Sequence, residues 1–351
     1  MQQFKAEQLE RAASAIFQAA DTPKDIADHV AHSLVQSNLM GHDSHGVIRV
    51  PRYVELIKDG MIVPSARPTT SNETSTTAVV NGNWAFGQIT AKFGAELAIQ
   101  KAKEMNVGVV GLVEQNHIGR LGEYSAMMAE AGMIGMVVTG GFRPPICAVA
   151  PFGGAARTLG TNPYSFAVPV GEKNGKSDMV LVDFATSVVA EGKLQVARAK
   201  GAPLAEGILL SKDGLPTTDA NDFYAGGMIL PVGGHKGYAL ALMADMMGAY
   251  LAGSDAVGRE LNQTGTFMMA INVEAFRPLT EFMAAAGGRV SEIKAIPPAP
   301  GFKEVLVPGE PEFRTKAERE RDGIGLPEAT WEALVKTGQG LGIDVAAVAG
   351  V

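Results

Sequence analysis

An α/β fold is what this chain predicts, from three observations. Four short apolar runs read as buried strands: "VGVVGLV" (107–113), "IGMVVTG" (134–140), "YSFAVPV" (164–170) and "DMVLVDF" (178–184). A helical segment, "GEYSAMMAEAG" (122–132), separates the first two, which is α/β alternation. The 351 residues are 46% apolar and 19% charged with 42 Gly, enough for one large domain or several intertwined ones around a sizeable core.

The elements follow in order. Residues 4–20 place Leu9, Ala12, Ala13, Ile16 and Ala20 at helical spacing. A second helix over 21–41, capped by Asp21 or Thr22 with Pro23 at its first position, gathers Ile26, Val30, Leu34 and Val35 on one face. His29 and His32 lie one turn apart on it, but acidic ligands are sparse nearby, so they read as packing or surface residues. Residues 217–237 read as a long Gly-rich loop. From about 297 the chain, "PPAPGFKEVLVPGEPEFR", reads as Pro-rich and extended, and one or two charged helices end it. No repeat of fixed period, no G-x-G-x-x-G and no G-x-x-x-x-G-K-[ST] occurs.

Composition removes several function classes. Lys and Arg number 30 against 37 Asp and Glu, a net charge of −7, and the densest charge run (316–323) alternates in sign, which argues against a nucleic-acid partner. The single cysteine, Cys147, reads as a small buried apolar residue, and no Cys/His zinc spacing exists. The N-terminus lacks the apolar stretch of a signal peptide. The nearest approach to a membrane span, 238–253, is interrupted by Asp245. No membrane association and a cytoplasmic location are the resulting expectations.

Chemistry concentrates first in "GHDSHGVIRVPRYVE" (41–55). A serine-hydrolase elbow needs G-x-S-x-G, and here one residue too many separates Gly41 from Ser44. His42 and His45 have a metal-compatible spacing, but Gly46 suggests that the helix stops there. An acid–base reading fits better: His45 can exchange a hydroxyl proton and Ser44 can bond the same oxygen. Arg49, four residues on, can grip a carboxylate with two prongs. That combination suits a 2-oxo or 2-hydroxy acid, with a structural turn as the open alternative.

Four further stretches are candidates. "VEQNHIGRLGEYS" (113–125) carries Asn116, His117 and Gly119 just after a strand. "LGTNPYSFAVP" (159–169) places Thr161 and Asn162 in a turn before Pro163. "VLVDFATSVVAEGK" (180–193) delivers Asp183 from a strand into a loop and then a helix start that can bind phosphate. Buried there, Asp183 needs a cationic partner such as His45. "GGHKGYALALMADMMG" (233–248) puts glycines and Lys236 at a helix start.

Together these stretches, with "VAPFGG", "GLPTTD" and "PGEPEFR", resemble the type 2 malate/L-lactate dehydrogenase family, from residue 41 to 314 in family order. The resemblance implies a non-Rossmann, mixed-sheet α/β fold, a homodimer, and NAD or NADP as cofactor. It implies three parts: 1–115 helical and substrate-site, 116–295 cofactor-binding, and 296–351 packing back on the first. Carried over by motif, His45 becomes the proton donor with Ser44 beside it. Arg49, Arg52 and Tyr53 face a small carboxylic acid substrate, and His117, Thr161 and Asp183 belong to the reacting centre. Asp183, Phe184, Ala185, Thr186, Ser187, Val188, His235, Lys236, Gly309 and Glu310 match cofactor contacts, and no metal is implied. Hydride would pass between nicotinamide and the substrate C2.

Two features depart from the family pattern. "TGGFRPPICAVAPFGG" (139–154) carries Arg143 and the adjacent loop prolines Pro144 and Pro145, and Ala220 stands where Pro is usual. The resemblance is nearest to hydroxycarboxylate dehydrogenases. Ureidoglycolate dehydrogenase and the cyclic imino acid (piperideine- or pyrroline-2-carboxylate) reductases share much of the same set. A hydrolase built on Ser44, and a silent ligand-binding protein, are the readings from other classes.

Overall fold

The computed structural model describes residues 2–144, 146–173, 176–257, 259 and 263–351; Pro145, one of the two loop prolines, lies outside them. A short strand β1 (Gln2–Phe4) leads into helices α1 (Ala6–Ala19) and α2 (Lys24–Leu39). The expected cap of α2 does not form. Pro23 occupies the cap position and Asp21 adopts a left-handed φ of 61°. A tight turn therefore joins the two helices, with the Thr22 N–H bonded to the Phe17 carbonyl. Two 3₁₀ turns, Asp43–His45 and Val47–Arg49, precede α3 (Val50–Lys58).

The sheet follows. Strands β2 (Thr69–Ser71) and β3 (Thr77–Asn81) are followed by α4 (Gly87–Met105), β4 (Val107–Val113), α5 (Gly122–Glu130) and β5 (Met133–Gly140). Then come β6 (Tyr164–Lys173), β7 (Lys176–Phe184) and α6 (Glu191–Lys200). The span read as one loop contains β9 (Pro216–Thr217), α7 (Asn221–Tyr224) and β10 (Met228–Ile229), which with β8 (Leu209–Leu210) makes a small sheet. Next are α8 (His235–Asp245), α9 (Ser254–Val257), β11 (Gly265–Asn272) and α10 (Leu279–Lys294). Helix α11 (Glu310–Asp322) starts inside the stretch read as extended, because Pro311 suits a first helical turn. Strand β12 (Ile324–Leu326), α12 (Glu328–Gln339) and α13 (Val345–Ala349) complete the chain.

The main sheet runs β2-β3-β4-β11-β5-β6-β7. Only β3 and β4 are parallel, and α4 supplies the crossover that such a pair needs. Strand β11, unanticipated from the sequence, inserts between β4 and β5, with Met268 opposite Val110 and Val137. The result is the mixed sheet that the resemblance implied. The first and last helices share one core: β1 pairs with β12, and Phe4 packs on Trp331 with ring centroids 4.5 Å apart. Within it the rings of Phe17, Tyr53 and Phe86 pack against one another in a triangle, and burying each such ring contributes about 1.5–3 kcal/mol. That packing holds the segment bearing Tyr53, and with it one wall of the site described next.

Candidate active site

The 41–55 stretch is shaped by Asn38. Its side-chain oxygen accepts the Val47 N–H at 2.9 Å and its amide donates to Asp43 at 2.7 Å. A Cβ on Gly46 would sit 2.2 Å from that oxygen, so the bend requires glycine. Arg319 of α11 clamps Asp43 bidentately at 2.7 and 3.0 Å. Asp43 is thereby an anchor for the turn, and His42 lies 4.0 Å from Glu312 of the same helix.

On this anchored turn Ser44 Oγ lies 3.0 Å from His45 Nδ1, and the Arg49 Nε donates to the Ser44 carbonyl at 2.6 Å. The His45 ring stacks on His117, which the loop after β4 supplies. Tyr53 OH bonds His117 Nδ1 at 2.7 Å and receives the Gln88 amide at 3.0 Å. Gln88 was not among the candidates; nothing in its local pattern marks a helix glutamine as a contact of a buried phenol. Burial and the neighbouring Arg49 push His45 down to about 3; desolvation by the packed rings, then the charges of His45 and Arg49, push His117 well down although the residue keeps an exposed edge. Burial pushes the Tyr53 phenol up to about 12. At neutral pH these three groups are therefore uncharged. Arg52 is not brought here: it pairs with Glu55 at 2.9 Å on the exposed side of α3.

The remaining candidates converge from the other side. Asn162, left-handed at φ 41°, donates to the Ala241 carbonyl and to Asp245. The Thr161 carbonyl accepts both the N–H and hydroxyl of Thr186 at 2.9 Å, and Thr186 in turn accepts the Val232 N–H. Ser187 bridges to Pro231, and Phe184 stacks on Tyr164. The loop 183–188 is thus tied to the start of α8. The two halves face one another, since a Cβ on Gly192 would lie 3.8 Å from the Ser44 Cβ.

Asp183 differs from expectation in its partner. Its carboxylate accepts the Gly122 N–H at 2.7 Å, at the positive end of α5, and Arg120 is its neighbouring charge instead of His45. Burial still pushes it up to about 6. Arg120 went unremarked in the sequence, where a lone loop arginine looks like a solvated charge, yet it is buried. Arg143 lies over the Tyr250 ring and 3.9 Å from Asp245, the carboxylate that also accepts the Asn162 amide.

A phosphate-bearing cofactor fits the start of α8. Gly233 and Gly234 take φ values of 61° and 62°, a Cβ on Gly233 would meet nothing within 4 Å, and His235 and Lys236 are exposed beside them. Gly309, left-handed at 91°, packs against Leu181. The Glu310 carboxylate is held by Lys294 and Arg314, the Glu310 N–H donates to the Val307 carbonyl, and the Gly309 carbonyl accepts the Phe313 N–H. Among the described residues no group of three or more His, Cys, Asp or Glu is placed to hold a metal, and no helix is long and apolar enough to cross a membrane.

Comparison with known proteins shows the family and the fold. The family model for malate/L-lactate dehydrogenase matches residues 4–335. The malate/(S)-sulfolactate dehydrogenase of Methanothermus fervidus is 38% identical over 338 residues, covering 94% of this chain and 95% of that protein. The structure of sulfolactate dehydrogenase from Methanocaldococcus jannaschii matches with a TM-score of 0.89 and 34% identity over 99% of each chain. That of delta1-piperideine-2-carboxylate reductase from Pseudomonas syringae pvar. tomato matches at 0.82 and 26%, over 96% of this chain and 100% of that one. The chain belongs to the malate/L-lactate dehydrogenase family.

Proposed function

We propose that this protein is an NAD(P)-dependent 2-hydroxycarboxylate dehydrogenase, with His45 exchanging the proton of the substrate hydroxyl. The observation that carries this reading is one constellation: His45 stacked on His117, bonded to Ser44, beside an Arg49 fixed by the Ser44 carbonyl. The bound nicotinamide supplies the hydride acceptor or donor. The protein's share is positioning and proton transfer. Arg49 holds the C1 carboxylate, and the arriving negative charge offsets the guanidinium that depresses His45. His45 then gains a proton more readily, as the oxidation of an alcohol requires. Ser44 can donate to Nδ1 or accept from it, so it supports His45 in either direction.

The start of α8, with Lys236, and the loop 183–188 are the proposed cofactor cradle. Met243, Met246, Tyr250 and Leu251 are exposed along α8 and the turn that continues it, and this apolar surface supports a homodimer. Light scattering tests that reading. The likeness to a piperideine-carboxylate reductase supports a second reading, reduction of a cyclic C=N bond with the same hydride geometry. Oxidation of NADH and NADPH at 340 nm, with pyruvate, oxaloacetate, phenylpyruvate and pyrroline-2-carboxylate, separates the two. Turnover of the 2-oxo acids supports the first reading; turnover of the imine alone replaces it with the second.

A further inference from the structure

We propose that Gln88 is a positioning residue: through the Tyr53 hydroxyl it fixes the proton of the His117 ring on Nε2, so that His117 meets the reacting oxygen as a hydrogen-bond donor and leaves His45 as the base. This rests on the 2-hydroxycarboxylate reading above. The Gln88 amide donates to the Tyr53 oxygen at 3.0 Å, and that hydroxyl lies 2.7 Å from His117 Nδ1. Tyr53, pushed up to about 12 by burial, keeps its proton, and His117, pushed well down, is a neutral ring with one N–H. The phenol oxygen already accepts from Gln88, so its own proton has one acceptor in reach among the described residues, His117 Nδ1. Were Nδ1 to carry the ring proton, the phenol would accept twice and bury an unpaired O–H. The sense of the chain is set by Gln88, which is fully buried with its Oε1 unpartnered. Turning the amide over would put that oxygen against Tyr53 and orphan two N–H groups in its place, the costlier arrangement.

Local structure holds these groups together. Gly87 lets the first turn of α4 lie on the loop that carries His117: a Cβ there would stand 2.3 Å from the His117 carbonyl oxygen. With Nδ1 engaged, Nε2 makes no hydrogen bond among the described residues, and His117 keeps an exposed edge beside the stacked ring of His45. The Nε2–H is then a donor for the substrate C2 oxygen. In hydroxy-acid oxidation it stabilises the negative charge that builds there as His45 takes the proton; in the reverse direction it polarises the carbonyl. The opposite tautomer would present a lone pair to that oxygen, and a second base beside the first.

The test uses full-length protein carrying ¹⁵N-histidine, read by long-range ¹H–¹⁵N spectra at about pH 6 and about pH 9, with the His117 signals identified by their loss in His117→Asn. Wild type should show a protonated Nε2 and a bare Nδ1 at both. Gln88→Glu keeps the shape and reverses the polarity. At the higher pH its carboxylate accepts the Tyr53 O–H, Tyr53 accepts from Nδ1, and the His117 proton moves to Nδ1; Lys92 one turn along α4 and the charge of Arg49 on Tyr53 favour that ionisation. There kcat on 2-oxo acids should fall about 100-fold while the dissociation constant of NADH stays within about twofold. At the lower pH the protonated side chain donates as glutamine does, and the loss should shrink to about fivefold. Gln88→Met leaves Tyr53 only His117 to donate to, so it should keep the tautomer and lose about fivefold at both pH values. A purely packing role predicts the opposite order, with Met worse than the isosteric Glu. A wild-type proton on Nδ1, an unreversed tautomer in Gln88→Glu at the higher pH, or a reversed one without loss of kcat would each overturn the proposal. A wild type that reduces no 2-oxo acid would instead sink the reaction assignment, while the spectra, which need no substrate, still read the tautomer.

Discussion

The imidazole rings of His45 and His117 stack with centroids 5.3 Å apart and planes 25° from parallel. Two rings so close cannot both carry charge cheaply, and each is already held neutral by its surroundings. This sets the pH behaviour of the free enzyme. A base must be unprotonated to act, and His45, lowered to about 3, is unprotonated through the whole range from neutrality to mild acid. In the direction of hydroxy-acid oxidation, His45 should therefore contribute no break in kcat/KM between pH 7.5 and about 5, and a break near 6 belongs to Asp183 and should persist in His45→Asn. A break near 6.5 in the wild type that is absent from His45→Asn would show His45 titrating at its ordinary value and overturn this prediction, though not its role as the base.

Arg49 and Arg52 separate a site arginine from a surface one. Arg49 sits against the Ser44 carbonyl, whereas Arg52 pairs with Glu55 in solvent. Arg49→Ala should lower kcat/KM on 2-oxo acids by about 10- to 100-fold, as expected for a lost charged hydrogen bond. Arg52→Ala should leave it within about twofold, because exposed pairs contribute little. Comparable losses in the two variants would show that the carboxylate grip is shared or misplaced.

His29 gives a stability prediction away from the site. Burial lowers it from 6.5 to about 4, and its Nε2 has no partner. The folded state accommodates the neutral ring, so stability is full above the unfolded value and is lost as pH falls from about 6.5 through about 4. His29→Leu should remove that dependence. At pH 5 it should gain on the order of 1 kcal/mol relative to wild type beyond any difference at pH 8, read by urea denaturation. Parallel stability–pH curves for the two proteins would rule this out.

What the sequence made legible follows from how each signal arises. Strands β4 to β7 announced themselves because continuous Val- and Leu-rich runs have few other uses. Strand β11, "GTFMMAIN", did not: Met and Ala carry no strand preference, and its burial depends on β4 and β5, distant in sequence. The stacking of His45 on His117 and the tie between Thr161 and Thr186 are equally nonlocal, and only the family likeness put those stretches in one site. Arg120 was invisible for a physical reason. An arginine's burial is a property of what surrounds it, and here that is α5, the end of β7 and the 41–55 turn.

Gly46 tests whether the turn is built to hold His45. Its hydrogen faces the Asn38 carboxamide, which satisfies Val47 N–H and Asp43 at once. The backbone there, φ −87°, is open to any residue, so the demand for glycine is one of space alone. Gly46→Ala must displace Asn38, freeing a buried N–H at a cost of about 1–3 kcal/mol and loosening the grip of Arg319 on Asp43. Activity should fall further than stability suggests, because a shift of about 1 Å at His45 misaligns proton transfer and can cost about 100-fold. Asn38→Ala in the Gly46→Ala background should add little, since both substitutions break the same contacts. Fully additive losses in kcat/KM would mean that Asn38 and Gly46 act on different features and that the turn does not position His45 through them.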